Sequence, residues 1–371
     1  MMTNMEPMSC LLRSTMWGRI AVLTCFFVAA SNARSVPPGP YTVTETGLTD
    51  TLVPNAVDIN NVGQIPLGLG GQAYLYQNGS LTAAAFPDAI NNPAKINNFG
   101  HVAVTHGLVP YLWTGGPAAI QLPQPSPGAN AIVENLNDSD VVVGAAFYSP
   151  GGPAIAVMWQ NNAIVAIGPA NTPSWAHAVD NAGQVVGQWG GSGGYFNGKG
   201  FIWQSGTLST LPDLPGFTNR SVGLDINDHV QIVGWCSNTN DSAQSRATLW
   251  QSAADGSWEA TGLLPITSKL YSQAFSINNA GTAVGQSLDY FTDPGVATLW
   301  QDGQGYDLNS LIPADSGWTL QQARAINDVG QVVGIGVHAG TLHSYLLTPV
   351  PEPSTLSLIT VMASGILVRR R

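Results

Sequence analysis

Six histidines, His101, His106, His177, His229, His338 and His343, and one cysteine beyond residue 33, Cys236, are the side chains best suited to ligate a metal or attack a substrate. Their spacing supports neither use. No pair of histidines has the spacing of a helical zinc site, and Cys236 has no cysteine near it. His101 and His106 stand close, five apart, which suits packing beside a strand as well as it suits a ligand pair. There is no Gly-x-Ser-x-Gly elbow, and the glycines of GGSGGYFNGKG, residues 190–200, fall between two strands instead of opening a helix onto a phosphate. Two carboxylates remain. Asp58 and Asp225 each precede the isoleucine of a recurring turn, in a slot that other copies fill with Lys95, Asn135, Ala178, Ser276 and Ala325. Acids there act as acid and base only at a defined separation; the alternative is a polar channel lining. The sequence thus implies no metal, no cofactor and a non-enzymatic role.

The recurring turn sets the architecture. INNVG (59–63), INNFG (96–100), LNDSD (136–140), VDNAG (179–183), INDHV (226–230), INNAG (277–281) and INDVG (326–330) follow one another at spacings of 37, 40, 43, 47, 51 and 49 residues. Each is an apolar strand running into Asn or Asp, whose side chains bond nearby backbone, and then into Gly, which accepts positive φ in a three-residue hairpin loop. QVVG, QIVG or TAVG returns as the second strand in several copies. Asp140 and Val230 stand where the others have Gly; Val resists positive φ, so the fifth turn is expected to differ in shape.

Two more landmarks recur after the turns. Apolar runs end at Tyr76, Trp113, Trp159, Trp203, Trp250 and Trp300 and read as third strands. QLP (121–123), TLP (210–212), LLP (263–265) and LIP (311–313) read as fourth strands closed by Pro. The last copy stops at HSYLLTP (343–349) without a fourth strand, and YTVTETGL (41–48) is one strand without a repeat. The expected fold is an all-β, seven-bladed β-propeller of four-stranded antiparallel blades over residues 41–349, its last blade closed by the N-terminal strand. An open solenoid has the same repeat length.

Composition limits the partners. Only 9% of the 371 residues are charged, against roughly a quarter in ordinary soluble domains. Residues 34–349 hold 7 Lys plus Arg and 20 Asp plus Glu, a balance of −13, which disfavours nucleic acid. In a propeller, loops joining strands two to three and four to one leave on one face. Trp189, Tyr195, Trp235, Tyr290 and Phe291 fall in the first set, and Phe217 and Tyr271 in the second. These rings form a candidate binding rim for polysaccharide or an envelope protein; the alternative is that they tuck inward over the blade cores.

The ends give the address. Arg13 and Arg19, the apolar run IAVLTCFFVAA (20–30) and the small residues Ser31 and Ala33 describe a secretory signal peptide over residues 1–33. Residues 350–371 contain Pro351, Glu352 and Pro353, a mostly apolar stretch 354–368, and Arg369, Arg370 and Arg371. A plain tail anchor has such a stretch. The order of the three parts resembles the PEP-CTERM sorting signal, which implies transient membrane insertion, an exosortase-type sorting enzyme as partner, and release to the cell envelope or extracellular matrix. The repeated A…INNxGQVVG followed by an apolar-aromatic strand resembles the HAF-repeat family of secreted bacterial proteins over residues 41–348; the strand naming that family is degenerate here, as ATLW or HSYL. That family brings no activity to transfer. The expected function is an exported binding propeller, with a carbohydrate-active enzyme or a structural spacer as alternatives. Mass spectrometry of secreted material should find a C-terminus near Pro351; material ending intact at Arg371 would contradict a sorting signal.

Overall fold

Asparagine followed two or three residues later by glycine is a local instruction that five of the seven copies carry, and the other two make the same turn. The computed structural model describes residues 38–46, 58–69, 72–86, 95–148, 151–191, 198–238, 244–290 and 294–351. In it Gly63, Gly100, Gly183, Gly281 and Gly330 take φ between +77° and +81°, and Asp140 and Val230 take +59° and +60°. The side-chain oxygen of Asn97 accepts from the backbone of Phe99 at 3.1 Å and of His101 at 3.0 Å. The same pair of bonds recurs at Asn60, Asn137, Asn227 and Asn278. The fifth turn therefore has the shape of the others, contrary to the sequence expectation. Val230 donates to the Asn227 carbonyl at 2.9 Å as Gly100 does to Asn97 at 3.0 Å, so the turn's bonds outweigh a backbone strain of about 1–2 kcal/mol.

Seven antiparallel sheets result, arranged as a β-propeller. Six show four strands; blade 1 shows three, and residues 47–57 before its turn lie outside the described set. Blade 7 contains Trp318–Ile326, Val332–His338 and Thr341–Pro349, with Tyr41–Glu45 as its outermost strand. Tyr41 pairs with Pro349 and Glu45 with Tyr345, so the N-terminal strand closes the ring as expected. Apolar side chains pack between neighbouring blades: Val186 and Ile202 of blade 4 meet Ile226, Ile232 and Trp250 of blade 5 in one cluster. Among the described residues no helix is long and apolar enough to cross a membrane; residues 1–33 and 352–371 lie outside that set.

In three blades the tryptophan landmark bonds to the Leu-Pro landmark of the blade before it. Trp159 Nε1 donates to the Pro123 carbonyl of the preceding blade at 2.7 Å, Trp250 to Pro212 at 2.8 Å, and Trp300 to Leu264, beside Pro265, at 2.7 Å. A buried indole N–H needs an acceptor, and a carbonyl freed where Pro ends the ladder supplies it. In blade 6 the fourth strand ends earlier, at Asp307, and a 3-10 turn, Leu308–Leu311, precedes Pro313.

The last glycine of QVVG has its own cause. Opposite it the first strand carries a β-bulge, as between Val133 and Asn135 or Ala323 and Ala325. A Cβ on Gly144, Gly187, Gly234, Gly285 or Gly334 would lie 1.9–2.0 Å from the bulged strand's carbonyl oxygen. Only glycine fits such an approach.

A ring of amides ties the blades together at these turns. Asn60 Nδ2 donates to the Asn97 carbonyl at 3.0 Å, Asn97 to Asn137 at 3.1 Å, and Asn137 to Asp180 at 2.8 Å. Asn227 donates to Asn278 at 2.9 Å, Asn278 to Asn327 at 3.1 Å, and Asn327 back to Asn60 at 2.9 Å across 267 residues. Position 180 breaks the circuit, because Asp has no amide to offer Asn227. Its carboxylate takes the backbone and side-chain nitrogens of Gln184 at 2.7 Å, while burial pushes its pKa upward. Asn60, Asn227 and Asn327 show how Asn fits there, each also meeting the oxygen of its own blade's Gln. Asp180→Asn should therefore complete the ring and raise stability by about 1 kcal/mol in urea unfolding; a loss of stability would contradict it.

Candidate functional site

A second, outer ring surrounds the axis one residue further along each turn. The backbone N–H of Asn61 donates to Asn98 Oδ1 at 2.9 Å, Asn98 to Asp138 at 2.8 Å, Asp138 to Asn181 at 3.0 Å, and Asn181 to Asp228 at 3.0 Å. Asp228 donates to Asn279 at 2.9 Å, Asn279 to Asp328 at 2.8 Å, and Asp328 to Asn61 at 2.8 Å. The types alternate for a reason. Asn279 Nδ2 reaches the carboxylates of Asp228 and Asp328 on either side at 3.1 Å, and Asn181 does the same for Asp138 and Asp228 at 3.3 and 3.1 Å. Seven is odd, so two amides must adjoin once, at Asn61 and Asn98. The two rings line an axial cavity of about 150 Å³. Its carboxylates are occupied by amide donors, and among the described residues no group of three His, Cys, Asp or Glu is placed to hold a metal ion.

The opposite face carries the rim. Tyr290 is 67% exposed, beside Leu270. Lys269 Nζ lies 2.9 Å from the Asp289 carboxylate, and Leu270 N donates to the same carboxylate at 3.1 Å. Tyr271 is half-buried at the start of Tyr271–Ile277. Phe217 lies 5.5 Å from the Arg246 guanidinium. Trp189 is half-buried, its indole N–H on Thr210 Oγ1 at 3.2 Å. Trp235 is 3% exposed, inside Ile232–Ser237 between Val222 and Ala247, and offers no ring to a ligand. That strand continues past Gly234, so a residue assigned to the loop belongs to the sheet. Tyr195 and Phe291, and the sorting residues Glu352, Pro353, Arg369, Arg370 and Arg371, lie outside the described residues, while Pro351 is exposed.

Two rim features escaped sequence reasoning. Tyr148, 44% exposed, and Phe147 border a groove of about 260 Å³ with Ser126, Gly128 and Asn130, and Trp175 meets Phe147 edge-on at 6.2 Å. Tyr148 follows the second strand of blade 3 as Tyr290 follows that of blade 6, a correspondence the sequence does contain. On blade 7, Trp318 stacks on His338 at 4.7 Å, and Glu45 of the closing strand reaches His338 at 3.4 Å and His343 at 2.9 Å.

The carboxylate slot proves to be a strut. Asp225 accepts from Ile226 N at 2.9 Å and from Ile277 N of the next blade at 2.9 Å; Asp58 bridges Ile59 and Ile96 at 3.0 Å each. Both oxygens of each acid thus hold backbone. Burial outweighs these bonds, pushing Asp225 up to about 6 and Asp58 upward as well. A raised folded-state pKa means the protonated acid is favoured in the fold, so this contribution is complete below pH ~4 and declines as pH rises through about 6. Denaturant midpoints measured from pH 4.5 to 7.5 should show a component of up to about 2–3 kcal/mol falling over that window and absent in Asp225→Asn; an unchanged profile in that variant would contradict the assignment.

Several solved structures are similar to this chain at low identity. A streptogramin B lyase is 11% identical, with a TM-score of 0.50 over 83% of this chain and 98% of that one. A virginiamycin B lyase from Staphylococcus aureus is 12% identical, with a TM-score of 0.47 over 84% and 96%. A gluconolactonase from Xanthomonas campestris is 11% identical, with a TM-score of 0.40 over 86% and 100%. The likeness to the streptogramin B lyase speaks to the fold alone. Among curated proteins none matches this sequence. A family model matches residues 128–344, more than half of the chain, and on that match the chain belongs to the DUF3466 family, described as proteins of unknown function.

Proposed function

We propose that the chain is an exported, non-enzymatic propeller that binds a neutral polysaccharide of the cell envelope or extracellular matrix through its rim. The observation that carries this reading is the groove at blade 3. A sugar ring needs one apolar plate to stack on and polar atoms at its edge. Phe147 and Tyr148 supply the plate, and Ser126, Asn130 and the backbone of the 126–130 loop supply the edge. Phe147 and Asn130 belong to strands of the sheet, so ordering these two costs little on binding. The balance of −13 over residues 34–349 disfavours polyanions, which selects neutral sugars.

Export rests on the leader and on the C-terminal sequence that resembles a PEP-CTERM signal. An exosortase-type enzyme would release the protein after transient membrane insertion. Affinity electrophoresis through gels containing neutral matrix polysaccharide tests the binding. The native protein should be retarded, and Tyr148→Ala should weaken retention about tenfold with unfolding unchanged, since Tyr148 lies at the surface. Equal retention of the variant would refute the site, and new reducing ends in the gel would favour an enzyme instead.

A further inference from the structure

The seven turns that build the amide rings each present one residue at the tip, and these tips are unlike. Phe99 is 71% exposed, and Val62 and Val329 are 59% exposed. The corresponding residues of the other blades are Ser139, Ala182, His229 and Ala280. The turn does not need an apolar tip, since Ser and Ala serve the same geometry elsewhere. Nor are the three scattered. The ring bonds from Asp328 to Asn61 and from Asn61 to Asn98 make blades 7, 1 and 2 consecutive, so Val329, Val62 and Phe99 form one exposed arc.

The chain leaves the propeller at this arc. Thr341–Pro349 runs toward the turn face, where a Cβ on Gly330 would lie 3.2 Å from the Pro349 ring, beside Val329. Val350, 40% exposed, then donates to the Pro40 carbonyl at 2.9 Å, which fixes the direction of exit. The mostly apolar stretch 354–368 begins three residues after Pro351. Three residues span at most about 10 Å. Whatever holds that stretch holds this face close to it.

We propose that Val329, Val62 and Phe99 seat the propeller on the surface of a lipid bilayer while residues 354–368 are inserted, leaving the rim turned away from the membrane. This rests on the reading of the C-terminal segment as membrane-inserted. A bilayer fits better than a protein partner because the segment's chemistry and the short tether bring lipid to this face. Asp138, Asp228 and Asp328 share the face, so the surface suits zwitterionic headgroups and disfavours anionic ones.

Hydroxyl-radical footprinting tests the arrangement without altering any residue. Chain 34–371 is mixed with phosphatidylcholine vesicles, floated on a density gradient and oxidised, and labelling is read by mass spectrometry. Oxidation of Phe99 should fall at least about fivefold on vesicle binding, while Tyr290 and Tyr148 on the opposite face keep their rates. A floated chain with unprotected Phe99 overturns the seating but leaves the inserted tail standing. A chain that does not float removes the tail reading and the seating together. Protection of Phe99 before any lipid is added shows that the tail itself or a second copy covers the arc, and overturns the proposal.

Discussion

One side chain makes three bonds in this fold, and the rest depends on it. The turn asparagine accepts two backbone N–H groups with its oxygen, which shapes the hairpin, and donates with its nitrogen to the carbonyl of the next blade. Both functions are buried, where an unmet amide would cost about 1–3 kcal/mol. Shape of a turn and spacing of blades are therefore set by the same atoms. Circularity follows, since the last copy, Asn327, finds the first, Asn60, by the same bond that joins sequence neighbours.

From that end the radial order follows. The bulge opposite Gly144 and its counterparts shifts each first strand just before the turn, and the side chains it inserts meet across neighbouring blades: Glu134 lies 3.9 Å from His177, and Arg324 lies over Phe275 at 5.6 Å. Asp58 and Asp225 strengthen the same seam, at the expense of holding a carboxylate in a dry place. Further out, Trp159, Trp250 and Trp300 join blades that the rings have already aligned. A polar hub with an apolar shell leaves the opposite rim free to vary.

What was legible in the sequence was local. The turns announce themselves because Asn and Gly act within five residues, and the unpaired strand at 41–48 pointed to closure because strand counting needs no coordinates. Contacts between distant segments were not legible. Nothing near Pro123 says that Trp159 will bond to its carbonyl, and the glycine ending QVVG is explained only by a carbonyl on another strand. Val230 takes positive φ against its local preference because Asn227 accepts from His229 and Gln231 on either side of it. Trp235 was misplaced by a strand two residues longer than its motif, and Phe147 and Tyr148 were passed over because no repeated signature marks a rim.

If the rings close the propeller, they act as one unit. Native-state hydrogen exchange, followed residue by residue, addresses that directly. The backbone amides of Asn61, Asn98, Asp138, Asn181, Asp228, Asn279 and Asp328 should exchange only through global unfolding, with one shared free energy and one shared denaturant slope. Exchange blade by blade, with the amides of blades 7 and 1 released well before the others, would show that the rings do not hold the propeller closed.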